Sequence, residues 1–417
     1  MSVERRFALK AGLGALLGLI GHSAFAEILE VSGKADNDKA GPARDVLLAA
    51  QSRLGENLIR QLADHGKQPG SNVIVSPASL ASIMSFIDLG ANSHLRTAIH
   101  RMLGFKSEQR SRINAELKGL RTSVKAITED AGDGPLLLAN LLVFDPSSKP
   151  LQAALLGLSG AGADVLVAHL AKPKTIERIN EWVRQRTRNL IPTIIEEAPE
   201  TLGLVAINAL YFKDKWKIPF DPARTVTQPF QPLTGSAVDV PMMHSSIGQF
   251  AFREDDRFVG AELGYGNENF KLVVVTTKSA AARQAEFAGV ADWLAGKGFE
   301  EKKGEIALPR LSLSTGEELL SPLDALGLRQ ARLAPDSLDG FSPESLAITR
   351  VVQRLELRVN EEGTEAAAAT AVMTTRSIAT ADHVKMIVDK PFVFALRDQN
   401  SGLILLMGYV GTPPKQL

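Results

Sequence analysis

The histidines and serines are the residues of this chain whose types could support catalysis or metal binding. No histidine has the HExxH spacing of a zinc protease, and the lack of cysteine excludes thiolate ligands and a thiol nucleophile. Gly157-Leu158-Ser159-Gly160 begins like the nucleophile elbow of a hydrolase, but Ala161 replaces the closing glycine. We expect this stretch to be a glycine-rich turn without a strand before it. Because phosphate loops and dinucleotide fingerprints are also missing, the sequence predicts no enzyme, no metal and no cofactor.

The segment after Glu365 has a more unusual pattern. It contains ten consecutive residues without charge, glycine or proline, 366–375. At the period of two of a β-strand, one face is entirely small or β-branched and uncharged, so it could be buried in a sheet. That face carries Thr364, Ala366, Ala368, Thr370, Val372 and Thr374. Alanine propensity alone favours a short surface helix instead, and the residues by themselves leave both interpretations open.

The elements that must hold this segment follow from hydrophobic periodicity. Helices are predicted at 43–62, 77–89, 95–105, 108–127, 175–188 and 317–326. Strands are predicted at 72–75, 136–144, 204–212, 270–277, 306–313, 346–359, 392–396 and 403–410. Several strands are continuous apolar runs, which is typical of a sheet covered on both faces. Without internal repeats or linkers, one large mixed domain is expected.

Composition narrows the function classes. The chain has 45% hydrophobic and 23% charged residues with a formal net charge of zero, which is ordinary for a globular protein. Nucleic-acid binding would need a basic excess and is not expected. The helix at 108–127 is locally basic and could meet a polyanion, but Glu108 and Glu116 dilute the patch, so a solvated face is favoured. Its cations are Arg110, Arg112, Lys118, Arg121 and Lys125.

The first residues have the pattern of an export signal. Arg5 and Arg6 precede a short apolar stretch at 11–20, and Ala24-Phe25-Ala26 matches a cleavage site. The stretch is too short and glycine-rich for a comfortable membrane span. The arginine pair also resembles a twin-arginine signal, with an ordinary secretory signal as the alternative. We predict a signal peptide at 1–26, a flexible lead-in at 27–42, one domain at 43–417, no stable membrane anchor, and a periplasmic or extracellular product.

A hinge-like motif gives the resemblance that organises these observations. Asn360-Glu361-Glu362-Gly363-Thr364-Glu365-Ala366-Ala367-Ala368-Ala369-Thr370 resembles the reactive-loop hinge of inhibitory serpins. Other serpin-like motifs follow in the family's order and spacing. They are Asn72 with Ser76-Pro77-Ala78-Ser79, Ile179-Asn180-Glu181-Trp182-Val183, Asn208-Ala209-Leu210-Tyr211-Phe212-Lys213-Asp214-Lys215-Trp216 with Pro219-Phe220, Pro241-Met242-Met243, and Lys390-Pro391-Phe392-Val393-Phe394 with Leu406-Met407-Gly408. The chain resembles a prokaryotic, exported serpin from about residue 43 to 413.

The resemblance implies an α+β serpin fold with three β-sheets (A, B and C), eight or nine helices and an exposed reactive-centre loop. It implies suicide-substrate inhibition of a serine or cysteine endopeptidase, in which the acyl-enzyme is trapped when the cleaved loop inserts into sheet A. The native fold would be metastable and monomeric. The uncharged face of the loop suits insertion, because a buried charge would need desolvation. A carrier, storage or chaperone-type serpin is the alternative.

The resemblance also assigns site residues. The hinge is Glu361, Glu362, Gly363, Thr364, Glu365, Ala366, Ala367, Ala368, Ala369 and Thr370. The shutter is Ser76, Ser79, Asn208 and Gln353, and the breach is Arg310, Glu361 and Trp216. Gly363 is expected to give the hinge backbone freedom to turn. Arg310 and Glu361 match a salt-bridged pair at the loop's entry, so Glu361→Lys should loosen the hinge and promote polymers.

The reactive bond has two candidates. The commonest family spacing from Glu361 gives Ser377-Ile378, and a spacing one residue shorter gives Arg376-Ser377. We favour Arg376-Ser377, because a long cation fits the defined specificity pocket of a trypsin-like protease. An elastase-like or subtilisin-like target remains open if Ser377 is the P1 residue.

Three positions depart from the family's pattern. Gln353 stands where many serpins have a shutter histidine, which removes any pH sensitivity that histidine confers but keeps a donor and an acceptor. Gly264 replaces a usual proline before Tyr265, so the top of sheet A is expected to be looser. Asn189 stands where glycine is common, and asparagine tolerates left-handed backbone geometry.

Overall fold

A computed structural model of the chain describes residues 45–64, 70–105, 110–129, 134–199, 201–279, 287–364 and 383–414. The predicted signal peptide and lead-in lie outside these ranges, as does the loop segment 365–382.

The helices of the described ranges differ in length. The longer ones are α1 (Asp45–Asp64), α2 (Pro77–Gly90), α3 (Ser93–Met102), α4 (Arg110–Glu129), α5 (Gln152–Gly160) and α6 (Pro173–Arg186). One-turn helices follow at α7 (Ala291–Leu294), α8 (Leu320–Leu323) and α9 (Arg329–Arg332). Ser76 caps α2 by accepting the Ser79 N–H, and Pro77 occupies the first turn, where its missing N–H costs nothing. The Gly157–Gly160 stretch lies within α5, so the predicted turn there is wrong.

The strands in chain order are β1 (Val73–Val75), β2 (Leu136–Phe144), β3 (Asp164–Val167), β4 (Leu204–Phe212), β5 (Asp214–Lys215), β6 (Val226–Phe230), β7 (Val238–His244), β8 (Gly248–Glu254), β9 (Phe258–Gly264), β10 (Phe270–Thr277), β11 (Glu300–Pro309), β12 (Leu311–Glu318), β13 (Ile348–Val359), β14 (Gly363–Thr364), β15 (Val384–Ile387), β16 (Phe392–Asp398) and β17 (Ile404–Val410). The single strand predicted at 306–313 is divided at Arg310, because the chain changes sheet there. The helix predicted from residue 317 begins only at Leu320. Residues 317 and 318 instead end β12, where they pair with β13.

Hydrogen bonding joins the strands into two networks. The seven-stranded sheet has the order β3-β2-β4-β13-β14-β5, with β12 on the other side of β13. The ten-stranded network has the order β1-β17-β16-β10-β9-β8-β11-β7-β6, with β15 paired to β11. The first half of β11 pairs with β8, and its second half pairs with β7 and β15. The larger network thus has two sections, and with the seven-stranded sheet they make up the three sheets of the expected α+β fold.

Strand β4 is buried along its whole length because both of its faces are covered. Leu204, Ala206 and Leu210 lie in the main core. The alternate residues Val205 and Ile207 lie in a second, smaller core, against side chains of α6. This period of two places α6 over one face of the seven-stranded sheet and the main core under the other.

Candidate functional site: the hinge, breach and shutter

The central feature of the seven-stranded sheet is the pairing of β4 with β13, which we call the seam. The two strands are parallel, with Ile348 opposite Leu204 and Glu356 opposite Tyr211. The register shifts between Ile348 and Arg350, at the end of the seam farthest from β14. Parallel pairing is slightly less stable per residue than antiparallel pairing, so the seam is a place where the sheet could exchange one partner strand for another.

The predicted hinge starts as a strand. The side-chain oxygen Oδ1 of Asn360 accepts the N–H groups of Glu362 and Gly363 at 3.1 and 3.2 Å, which turns the chain back after β13. Thr364 then pairs antiparallel with Val359 on one side and with Asp214 of β5 on the other. The hinge residues Glu361, Glu362, Gly363 and Thr364 are described in this way. The hinge residues Glu365, Ala366, Ala367, Ala368, Ala369 and Thr370 and the reactive-bond candidates Arg376, Ser377 and Ile378 lie outside the described residues.

Thr364 is fully buried under an aromatic stack. Its hydroxyl lies 2.7 Å from the Tyr265 hydroxyl, which is also buried. Tyr265 stacks on Trp216 with 4.5 Å between ring centroids, and the Trp216 indole N–H donates to the Asn360 carbonyl at 2.9 Å. Burial raises the pKa of Tyr265, so its hydroxyl stays protonated. Trp216 is one of the residues predicted for this site, whereas the sequence alone does not indicate that Tyr265 contacts Thr364.

Gly363 has a steric role in addition to the predicted one. Its φ angle does not lie in the left-handed region in this structure. A Cβ atom at Gly363 would lie 2.1 Å from the Asp214 carbonyl oxygen and 2.6 Å from the Lys215 Cα. Real atoms do not approach so closely, and the glycine allows β14 to pack directly against the β5 backbone.

Glu361 and Arg310 form the predicted ion pair at the breach. The Glu361 Oε1 atom accepts from the Arg310 guanidinium at 2.8 Å and from the Thr225 hydroxyl at 2.6 Å. The Glu361 carbonyl also accepts the Phe220 N–H at 2.9 Å. Burial pushes the pKa of Glu361 up, but the hydrogen bonds from Arg310 and Thr225 outweigh it, so the pKa lies below its ordinary value. Thr225 had not been predicted, because no local pattern connects it to residue 361.

The shutter residues come together across the seam. Gln353 accepts the Ser76 N–H at 2.8 Å through Oε1, and its Nε2 donates to the Asn208 Oδ1 at 3.1 Å. The Ser76 hydroxyl donates to the Ser79 hydroxyl at 2.7 Å. All four residues are at most 2% exposed. The network therefore joins the start of α2 to both strands of the seam without a titratable group among these four residues.

Asn140 extends the network and was missed by the sequence analysis. It lies opposite Asn208 in the pairing of β2 with β4, and its Oδ1 accepts the Asn208 Nδ2 at 2.9 Å. Its own Nδ2 donates to the Ser82 hydroxyl of α2 at 3.4 Å. Asn140 is a polar residue inside the apolar run 136–144, and this exception to the run could have indicated a role in the site.

Other predicted features have mixed outcomes. Asn189 has φ of 64°, in the left-handed region, as expected. The Gly264 carbonyl accepts the Lys217 N–H at 2.9 Å, so the backbone at this position is hydrogen-bonded.

On α4, the Arg121 side chain is not part of a solvated face, since it donates to the Ser85 carbonyl at 3.1 Å and lies over the Phe86 ring. Burial lowers the pKa of Arg121.

Two kinds of feature are absent from the described ranges. Among those residues, no helix combines the length and apolar character needed to cross a membrane. Histidine, aspartate and glutamate side chains in the same part of the chain do not form a group that could hold a metal ion.

Comparisons with known proteins agree on one family. The family model described as Serpin (serine protease inhibitor) matches residues 49–413. The leukocyte elastase inhibitor of Bos taurus is 28% identical over 386 residues, which cover 88% of this chain and 99% of that protein. The native structure of the thermophilic serpin Tengpin has a TM-score of 0.79 at 19% identity, covering 93% of this chain and 100% of that one. Human thyroxine-binding globulin complexed with thyroxine has a TM-score of 0.77 at 22% identity, covering 88% and 99%.

Proposed function

This chain belongs to the serpin family, and on that basis we propose that it is an exported suicide-substrate inhibitor of serine endopeptidases, with cysteine endopeptidases as a further target class. Similar proteins include an inhibitor, the leukocyte elastase inhibitor, and a ligand-binding protein, thyroxine-binding globulin. Family membership alone therefore does not choose between inhibition and ligand binding, and the choice rests on the hinge.

The observation that carries the proposal is the antiparallel pairing of Thr364 with Val359. If this pairing continues along β13 after cleavage, each further loop residue meets a β13 residue one position earlier. The pairs on one face are Ala366 with Leu357, Ala368 with Leu355, Thr370 with Gln353 and Val372 with Val351. Directly opposite residues of an antiparallel pair share a face of the sheet.

That face is the one toward the main core. Val351, Leu355 and Leu357 all belong to the main core cluster, and Gln353 is the buried shutter residue. The loop residues that would meet them are the small, uncharged ones of the alternating pattern. The register seen at Thr364 and the alternation read from the sequence thus agree, which favours insertion of the whole segment as a strand.

Insertion requires the seam to open. The loop would enter between β13 and β4 and run antiparallel to both, so one parallel pairing is replaced by two antiparallel ones. The inserted strand also buries apolar surface and satisfies its own backbone groups in the sheet. The uncleaved fold lacks these interactions, which is the physical basis of the metastability we propose for it.

The chemistry is supplied by the protease. Its nucleophile attacks the carbonyl carbon of the P1 residue, forming an acyl-enzyme and releasing the amine of the next residue. We propose Arg376 as P1 and Ser377 as the new amino terminus, with a trypsin-like target. The alternative bond, Ser377-Ile378, would suit an elastase-like or subtilisin-like enzyme. Insertion then carries the acyl-enzyme along the sheet before water completes hydrolysis.

The test is to mix the mature protein with trypsin, elastase, subtilisin and chymotrypsin and to examine the products by denaturing gels and mass spectrometry. We expect a covalent complex that survives SDS and a released peptide that begins at Ser377. A peptide that begins at Ile378 would move the reactive bond by one residue but keep the inhibitor. Loop cleavage without a complex and without a rise in heat stability would contradict inhibition.

A carrier function is the second candidate, and one cavity favours it. About 340 Å³ of space lies beside α1 and α7, with Ile59, Phe287, Val393 and Met407 among its lining residues. Glu56 also lines it, and its Oε1 atom has no hydrogen-bond partner among the described residues. Burial raises the pKa of Glu56. A small apolar ligand with one hydrogen-bond donor would fit, and ligand-induced heat stabilisation without any rise on loop cleavage would support this candidate over the inhibitor.

A further inference from the structure

Resting on the proposed function, we propose that Arg350 is a positioning residue of the inhibition reaction. Its side chain holds β13 against the β4 side at the end of the seam farthest from β14. The breaking of its hydrogen bond there sets how fast β4 and β13 separate. Arg350 lies on β13 at the register shift, opposite Val205 of β4. Its Nη1 donates to the Glu197 carbonyl at 3.1 Å, across the seam. Glu197 belongs to residues 187–203 between α6 and β4, which we call the connector.

Glu318 holds the Arg350 guanidinium in place. One Glu318 oxygen, Oε2, accepts from the Arg350 Nε at 2.9 Å, while Oε1 accepts the Val351 N–H at 2.9 Å. Glu318 ends β12, which pairs with β13 along its whole length. Glu318 and Arg350 therefore move with β13, and Arg350 is aimed at the connector before the seam opens.

The connector moves with the other side of the seam. Asn180 of α6 donates to the Ile195 carbonyl at 2.8 Å and accepts the N–H groups of Ile194 and Ile195 at 2.9 and 3.2 Å. The buried face of α6 packs against β2 and β4 in the second core. The connector is thus fixed to α6 and β4 just before it reaches Glu197.

Separation of the seam must therefore break the bond between Arg350 and Glu197. Two further side-chain bonds cross the seam outside the strand ladder, from Gln353 to Asn208 and from Thr349 to the Leu204 carbonyl at 3.3 Å. The bond from Arg350 lies at an exposed site, where its charged donor strengthens the bond and the surrounding water screens part of that gain. The loop enters at the Val359 end and reaches residue 350 late. A bond at this place resists complete separation without touching the loop or the protease.

The chain offers a matched control in Arg184 of α6. Arg184 is held by Glu181, with 3.0 Å from its Nε to Oε2, and its Nη1 donates to the Pro192 carbonyl of the connector at 3.0 Å. The chemistry is the same as at Arg350, but donor and acceptor are both on the α6 side of the seam. Loss of this bond weakens the attachment of the connector to α6 but removes no interaction with β13.

The experiment compares amide hydrogen exchange of the full mature chain with Arg350→Met, Arg350→Lys and Arg184→Met. Methionine keeps the apolar stem and removes every donor. We expect Arg350→Met to speed exchange in the β4 and β13 peptides by about three- to tenfold, as loss of one hydrogen bond predicts. Exchange in β16 and β17 should not change, and Arg350→Lys should restore part of the protection.

A second readout follows insertion itself. A synthetic peptide with the sequence of residues 364–377 is added, and its uptake is followed on native gels. Faster uptake by Arg350→Met than by Arg184→Met supports the proposal. Equal exchange at the seam in the two methionine variants, or faster exchange throughout the protein, would overturn it. Neither readout uses a protease. An absence of protease complexes would therefore refute the proposed inhibitor function, but it would not change the conclusion about Arg350.

Discussion

At the scale of single residues, Glu361 has the clearest energetic role. One of its carboxylate oxygens accepts hydrogen bonds from both Arg310 and Thr225, and the residue is only 6% exposed. A buried ion pair that loses one partner is strongly destabilised, because the remaining charge is desolvated without compensation. Because Glu361 lies two residues before β14, its interactions also hold β14 in place.

Glu361→Lys should therefore release the hinge. The new ammonium would face Arg310, and we expect β14 to leave the sheet and the protein to form polymers on native gels after mild warming. Glu268→Lys is the control, since it makes the same charge change at an exposed ion pair with Lys217. A Glu361→Lys protein that stays monomeric under conditions where the control also does would count against this role.

The Glu361 interaction should also depend on pH. Its pKa in the folded protein lies below the ordinary value of 4.5, so the folded state favours the ionised form. The resulting stability is complete above the ordinary pKa and is lost as the pH falls through the lower, folded-state value. We expect the melting temperatures of the wild type and Glu361→Gln to differ most above about pH 5 and to converge toward pH 3. A constant difference over this range would refute the assignment.

At the scale of elements, the two-residue strand β14 is the part most sensitive to shape. A methyl group at Gly363 would collide with the β5 backbone, which cannot move aside as a side chain can. Gly363→Ala should therefore separate β14 from β5 and lower the melting temperature, at a cost of about 1–3 kcal/mol. Gly264→Ala is a matched control, because its Cβ would meet only Lys217 side-chain atoms at 3.8 Å or more. Equal melting temperatures for the two variants would show that β14 tolerates displacement.

The elements also show what the sequence could and could not predict. Strands β2, β4 and β10 have the predicted bounds, because a continuous apolar run of eight or nine residues is typical of a buried strand. Strand β14 has only a glycine and a threonine, too short for any period to appear. Tyr265, Thr225 and Asn140 join the site from distant parts of the chain, and one sequence does not show which distant residues meet. The helix predicted at 317–326 was wrong in its first part, since polar residues of β12 resemble a helix start.

At the scale of the whole molecule, insertion should appear as a gain in heat stability after loop cleavage. In the proposed register of the inserted loop, Thr370 would lie beside Gln353 in the core, and Ala369 would lie beside Arg354 on the opposite face. Thr370→Glu should abolish the gain, because its carboxylate would be buried without a cation, whereas Ala369→Glu should keep most of it. Melting curves before and after cleavage check both. The same gain in the two variants would show that the loop does not insert in this register.

The order of strands in the ten-stranded network has a consequence for biosynthesis. Strands β16 and β17 come late in the chain, yet they lie between β1 and β10. Asn72, beside β1, is bonded to the backbone of both Gly411 and Thr412. While the chain emerges from the ribosome, β1 and β10 therefore keep open edges that can pair with other nascent chains. Any chain shortened before residue 392 would lack both β16 and β17, so the edges of β1 and β10 would stay open to pairing with other chains.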